Sequence, residues 1–511
     1  MAWDLNYNVF LFSNALEPSF VRILILSVTL AVLGWWVVLY WTSPLREYPG
    51  PFLAGCTNWW RFAQVLTGRY HLYMRELHVK YGPIVRIGPN LLDIDILEVI
   101  KTVYGSDTSW RKTEFYQNNS AFINGKTTFT LFSEVDPVNH ARLQRPMAKF
   151  FSHGKEIFVD KVLENMCQQL TTAFNAKVCD LGEWFTFCTW DILGMLVLGQ
   201  PFGYVENGYD VDGTLRLSRH TIDYFAAVGQ MPFLDYLLDK NPLIRLGPPN
   251  LGNLTRIATE HLSDRLRRES NHAQSDVPDF LQHFIDAKNS HPEVTELDVL
   301  ILSINTLVAG ADSTAITLRS VFYYSLRNPN IYNRLEREIL AADVAQLVSY
   351  RVSRAMPYLE ATIREAMRFL PAISMPLERY VPEPGLRLPD GKIIPAGTAV
   401  GVNAYIIGRN EKVWGPDADE FRPERWLKSE HETESSYQSR VQLYNTADLS
   451  FGHGARMCIG RHVANMELYK IVATLISRFE IKLANPDREW KLEGSWFPLQ
   501  QGLLCRLKRR V

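Results

Sequence analysis

Phe451-Gly452-His453-Gly454-Ala455-Arg456-Met457-Cys458-Ile459-Gly460 is the stretch around which the rest of the chain is organised. A cysteine stands in a glycine-punctuated loop, just ahead of an apolar helical pattern running from Val463 to Phe479. The N-terminus of such a helix carries partial positive charge, which stabilises a thiolate. Gly452, Gly454 and Gly460 lack side chains, so backbone can approach a flat cofactor closely. Arg456 offers a rigid donor fork for a carboxylate, and Phe451 can cover the sulfur. A single cysteine beside a helix cap is usually inert packing. The order F-x-x-G-x-R-x-C-x-G sets this one apart.

The chain has 511 residues, 47% of them hydrophobic, which is enough for a large core. Lys+Arg number 54 against 55 Asp+Glu, so neither a nucleic-acid binder nor an acidic tail is indicated. Cys56, Cys167, Cys179, Cys188, Cys458 and Cys505 are scattered without a C-x-x-C pair. That argues against a disulfide framework and for a reducing compartment. Ile23 to Trp41 contains no charge, and as a helix it spans about 28 Å, close to the ~30 Å hydrocarbon core of a bilayer. Trp35, Trp36, Tyr40 and Trp41 crowd its C-terminal half like an interfacial belt. Bulky aromatics stand where a signal-peptide cleavage site needs small residues. We therefore expect a short tail over 1–19, a retained transmembrane anchor over 20–42, and a stiff, extended proline-rich hinge over 43–51. One catalytic domain is expected over 52–511.

Tyr81 to Ile94 reads as strand, turn and strand, and long helical patterns follow, giving an α-rich α+β fold. Thr108–Ser133, Arg268–Pro278 and Lys428–Arg440 read as polar loops. Asp210 to Asn250 reads as two amphipathic helices with a proline-rich join. From Thr295 to about Arg327 the pattern predicts one helix of about 50 Å. Mid-way lies Ala309-Gly310-Ala311-Asp312-Ser313-Thr314. Glycine costs about 1 kcal/mol in a helix interior, and hydroxyls there bond back to carbonyls and bend the helix. Structurally this is a kink. Functionally, Ala309 and Gly310 leave room for a ligand while Asp312 and a neighbouring hydroxyl deliver protons. Glu365 and Arg368 share one helical face, and Phe421-Arg422-Pro423-Glu424-Arg425-Trp426 follows.

The decapeptide resembles the haem-binding signature of the cytochrome P-450 superfamily at every defining position. Residues 309–314 resemble its oxygen-activation motif, with Ser313 where a threonine is usual. Glu365–Arg368 and Pro423–Trp426 resemble its two structural motifs, in the right order. The resemblance implies a mainly α (α+β) cytochrome P-450 fold, a helical triangular prism with small β-sheets and one N-terminal transmembrane helix. It implies haem b (iron protoporphyrin IX), with Cys458 as the axial iron ligand and Phe451, Gly452, Ala309 and Gly310 against the macrocycle. Propionate partners are expected in Arg456, Arg379 and His140. Gln144 stands where the family has arginine, so that charge-assisted bond is expected to be lost or to move to Arg145 or Arg142. Asp312, Ser313 and Thr314 are the expected catalytic groups. Asn305, Val308, Ile373, Ser374, Met375 and Phe497 are expected in the substrate pocket. Glu365, Arg368 and Arg425 form a structural triad.

The implied function is a haem-thiolate monooxygenase using O2 and NADPH. Electrons come from a separate NADPH–cytochrome P-450 reductase, with cytochrome b5 as a second donor. Lys149, Arg461 and Lys470 would form its basic docking face. The implied place is the endoplasmic reticulum membrane, with a lumenal tail and a cytosolic domain. The substrate is expected to be a lipophilic fungal secondary metabolite: a terpenoid, polyketide or alkaloid. A haem-thiolate isomerase or dehydratase, a haem sensor, and a zinc site using Cys458 and His462 are the alternatives.

Overall fold

The computed structural model describes residues 18–123, 126–151, 156–174, 177–241, 243–247, 251–269, 278–342 and 347–510. The first helix, Pro18–Thr42, is the most apolar: Arg22–Thr42 has a mean hydropathy of 2.3, and none of it is buried. Two other helices are apolar enough to cross a bilayer, Leu181–Leu198 and Glu296–Arg327, but these are 89% and 50% buried inside the protein. Much of their apolar surface is buried in the core; that of the first helix is left uncovered. Of the tail expected over 1–19, residues 1–17 lie outside the described residues. The segment after the helix is not extended as expected. Ser43 caps a 3₁₀ turn over Pro44–Glu47, Leu45 is fully buried, and Arg86 donates to Ser43 Oγ at 2.9 Å. Burial of Leu45 and Tyr48 folds this short segment onto the body.

The body is mainly helical, with small sheets at its flank. A four-stranded sheet runs in the order Ile84–Gly88, Leu91–Ile94, Ala399–Gly401, Arg379–Tyr380, with one parallel pairing, between the second and third. A three-stranded antiparallel sheet joins Val178–Asp180, Leu504–Arg509 and Phe479–Leu483. The central helix, Glu296–Arg327, opens with a capping box between Thr295 and Asp298 and packs along Leu181–Leu198. The cysteine helix, Arg461–Arg478, is buried along most of its length. Both long helices share the largest apolar cluster.

Three loop expectations are corrected. Thr108–Ser133 contains a 3₁₀ turn, Glu114–Asn118, and a hairpin pairing Ser120–Ile123 with Lys126–Phe129. Lys428–Arg440 contains the start of a helix, Glu434–Ala447, whose Thr433 cap accepts from Ser436 N. Arg440 ties that helix to the carbonyls of Arg425 and Leu427. In Arg268–Pro278 the preceding helix continues to Glu269, and 270–277 lie outside the described residues. Asp210–Asn250 does hold two helices, Thr214–Val228 and Phe233–Leu238, with residues 242 and 248–250 outside the described residues.

Candidate active site

The cysteine loop is shaped by backbone contacts. Cys458 N–H donates to the Phe451 carbonyl at 2.8 Å, closing the loop on itself. Gly452 and Gly454 both adopt left-handed conformations, φ 68° and 62°. A Cβ on Gly454 would lie 1.8 Å from the Tyr104 carbonyl oxygen, so only glycine permits this docking. The result is a presented sulfur. Among the six cysteines, Cys458 alone is exposed. It is nevertheless deep inside the protein, and its exposed surface faces a cavity of about 960 Å³. Burial pushes the thiol pKa up, against the backbone N–H groups of Gly460 and Arg461, which favour the thiolate. A thiolate here calls for a further positive charge, such as a metal ion.

Opposite stands the central helix. Asn305, Val308, Ala309, Gly310, Ser313 and Thr314 line the cavity, and Ala309 is open to it. The absence of a side chain at Gly310 serves packing first: a Cβ there would meet Leu193 Cδ1 at 2.8 Å. Ser313 Oγ donates to the carbonyls of Ala309 and Gly310 at 3.0 and 3.3 Å, and Thr314 Oγ1 to Gly310 at 2.9 Å. Asp312 does not face the cavity. Trp190 Nε1 donates to its Oδ1 at 3.0 Å and Ser218 Oγ to its Oδ2 at 3.3 Å, on the far side of the helix. Burial raises its pKa.

One wall of the cavity is basic. Arg456, Arg379, His140 and Lys112 all line it, and the last three are buried. Arg456 donates to the Glu134 carbonyl at 2.7 Å, Arg379 to that of Glu378 at 2.8 Å, and Lys112 Nζ to that of Phe132 at 2.6 Å. Burial, followed by repulsion from Arg379 and Arg456, drives the Lys112 pKa well down. Burial and the same cations hold His140 near 3, so it is a neutral imidazole. Burial and Arg379 lower Arg456 to about 10. Crowded basic groups, donating to carbonyls and lying over the Tyr104, Tyr116 and Phe132 rings, form a receptor for carboxylates. Together, an open thiol, a facing apolar helix and a basic wall fit a haem with its two propionates.

Lys112 was not among the expected partners. It sits in an irregular stretch without periodicity, and its only sequence signal is a position between Trp110-Arg111 and the 3₁₀ turn. One expected substitute for the missing arginine, Arg145, is exposed and outside the cavity wall, because its helical position turns it to solvent. Gln144 itself lines the cavity. Of the pocket candidates, Asn305, Val308, Ile373 and Phe497 line it, but Ser374 and Met375 do not. Ser374 is turned into the structure, its hydroxyl 3.4 Å from the Pro371 carbonyl, and Met375 is buried in an apolar cluster. Lys470 is buried and paired with Glu156 and Asp160 at 2.6 and 2.7 Å, so it adds nothing to a surface patch; Arg461 and Lys149 are exposed. Among the described residues, no three His, Cys, Asp or Glu side chains cluster as a metal site.

Glu365, Arg368 and Arg425 meet in a buried cluster. Arg368 forms a bidentate pair with Glu365 at 2.7 and 2.8 Å, and Arg425 Nε donates to Glu365 Oε1 at 2.9 Å. Trp426 Nε1 and the Arg422 amide complete the carboxylate's partners at 3.0 and 2.8 Å. The spare guanidinium donors reach the carbonyls of Gly408, Trp414, Asp417, Ala418 and Glu420. The cluster thus clamps residues 408–426, and Arg440 extends the clamp to the helix preceding the cysteine loop.

Known proteins resemble this sequence along most of its length. The family model described as Cytochrome P450 matches residues 49–505. The chain is 43% identical over 491 residues to cytochrome P450 monooxygenase cfoH of Aspergillus candidus, covering 94% of this chain and 91% of that protein. It is 34% identical over 477 residues to cytochrome P450 monooxygenase cicH of Emericella nidulans, covering 91% and 94%. A third relative, cytochrome P450 monooxygenase mpaDE of Penicillium roqueforti, is 33% identical over 93% of this chain but 57% of its own length. With the P450 motif cysteine exposed to an internal cavity and this match from hinge to final strand, the chain belongs to the cytochrome P450 family.

Proposed function

We propose that this haem-thiolate monooxygenase works at the endoplasmic reticulum membrane, oxidising a lipophilic fungal secondary metabolite with electrons from NADPH delivered by a separate reductase. The observation that carries the reading is the Cys458 thiol, open to an interior cavity and faced by the central helix. The exposed apolar helix Arg22–Thr42 supports membrane attachment. Cytochrome b5 is a second electron donor in this reading, and the docking face narrows to Arg461 and Lys149, since Lys470 is buried.

Haem bound in the cavity supplies activation of O2 and insertion of one oxygen atom into substrate. The chain's own residues do the rest. Cys458 would hold the iron through its sulfur, with the Gly460 and Arg461 amides directed at that sulfur. Arg456, Arg379 and Lys112 would hold the carboxylates, and His140 would add a neutral donor. Phe451 and Ala309 would lie against the macrocycle. Ser313 is the hydroxyl placed to hand protons into the cavity; to do so it must release the Ala309 carbonyl. Asp312 would supply it from the far side of the helix; burial raises its pKa and favours the protonated form, while the Trp190 and Ser218 donors favour the carboxylate. Thr314 donates its hydroxyl to the Gly310 carbonyl at 2.9 Å, within a helix that stays continuous through the motif.

Reconstitution of the full chain with the reductase in lipid tests this. Substrate-dependent consumption of NADPH and O2 is the expected result. Product formation without either would establish the isomerase or dehydratase instead.

A further inference from the structure

The cavity is not uniformly greasy, and its two walls differ in kind. Tyr116, Phe132, Phe225 and Trp496 line it from three separate segments. Their rings form one cluster: Trp496 meets Phe225 at 5.3 Å, Phe132 at 5.8 Å and Tyr116 at 6.4 Å, all near perpendicular. Phe115 backs the cluster at 4.9 Å from Phe225, admitted because a Cβ on Gly229 would lie 2.6 Å from its ring. Phe132 is the half-buried member. Its position is fixed from both sides. Lys112 Nζ binds its carbonyl, and Thr130 and Ser133 bond each other's amides at 3.0 and 2.8 Å across it. On the central helix the wall is aliphatic, with Ile304 and Val308. Between them stands Asn305, for whose side-chain amide no partner is found among the described residues.

We infer that the substrate is a planar aromatic compound carrying a ring oxygen substituent, held against the Phe132–Phe225–Trp496 cluster with its oxygen bonded to Asn305. This rests on the monooxygenase reading and narrows its substrate class. Edge-to-face contacts favour an aromatic ring over a saturated one of equal area, because ring edges and faces carry opposite partial charge. Two such contacts amount to about tenfold in affinity. A saturated polycycle gains the same burial without that increment.

The test uses the full-length holoprotein and three probes: naphthol, its perhydro form decalol, and naphthalene. The shift in haem spin state reports binding. In the wild type, naphthol is expected to bind about tenfold tighter than decalol. Phe132→Leu should shrink that ratio several-fold while leaving decalol unchanged. Asn305→Leu should bring naphthol down to naphthalene. Decalol binding as tightly as naphthol to the wild type, or Phe132→Leu weakening both alike, overturns the inference. Each preparation is first reduced under CO. A missing red-shifted Soret band in the wild type defeats the monooxygenase reading and this inference with it; with the band present, the ligand comparison bears on the substrate class alone.

Discussion

Asp312 and Ser313 are sequence neighbours that face different walls. Adjacent helical residues lie about 100° apart, so the carboxyl turns to Trp190 and Ser218 while the hydroxyl stays in the cavity. The serine lacks the methyl that restricts threonine's rotamer, and it is now bonded to backbone. Ser313→Ala should therefore raise hydrogen peroxide release per NADPH consumed and lower product yield, with substrate binding unchanged; a peroxide assay beside product quantification checks it. Lys112 is the other informative residue. A charge-assisted hydrogen bond to a propionate is worth about 1.5–3 kcal/mol. Lys112→Met should accordingly retain haem roughly ten- to a hundredfold less tightly, measured as haem transfer to an acceptor protein.

At the scale of elements, the site depends on a clamp 60 residues long. Glu365 is fully buried and carries two guanidinium partners. Removing it leaves two buried cations, a loss of about 3–5 kcal/mol, so Glu365→Ala should yield little or no holoprotein, read as haem absorbance per protein. Much of this clamp was legible in the sequence. Glu365 and Arg368 are one helical turn apart, and Arg425 lies in a motif of fixed composition. Trp426 as a third donor was not legible, since a tryptophan reads as packing. The Thr108–Ser133 stretch was legible only as polar, yet it supplies Lys112, Tyr116 and Phe132. Its structure comes from tertiary contacts rather than from a period. Elsewhere, the helix Tyr70–Tyr81 buries His71 against Tyr405, ring centroids 5.0 Å apart. Burial, with repulsion from Arg409 and Arg69, holds its pKa near 4. The unfolded chain takes up this proton near pH 6.5 and the folded one does not. Stability should thus fall as pH drops from about 6.5 toward 4, and His71→Phe should flatten the thermal-midpoint profile across that window.

For the whole molecule, the three helices among the described residues that are apolar and long enough for a membrane have different fates. Leu181–Leu198 is 89% buried, Glu296–Arg327 is half buried and gives part of its surface to the cavity, and the N-terminal one is left uncovered. Ile23–Trp41 contains no charged residue, whereas the central helix carries Asp312 mid-way. The burial of Lys470 was not legible, because it depends on Glu156 and Asp160, distant in sequence. All of these elements converge on one sulfur. The CO complex of the reduced full-length protein reports its bond to iron most directly. A strongly red-shifted Soret band is expected in the wild type and is lost in Cys458→Ser. A wild-type band at the position of an imidazole-ligated haem, or one unchanged in Cys458→Ser, would contradict it.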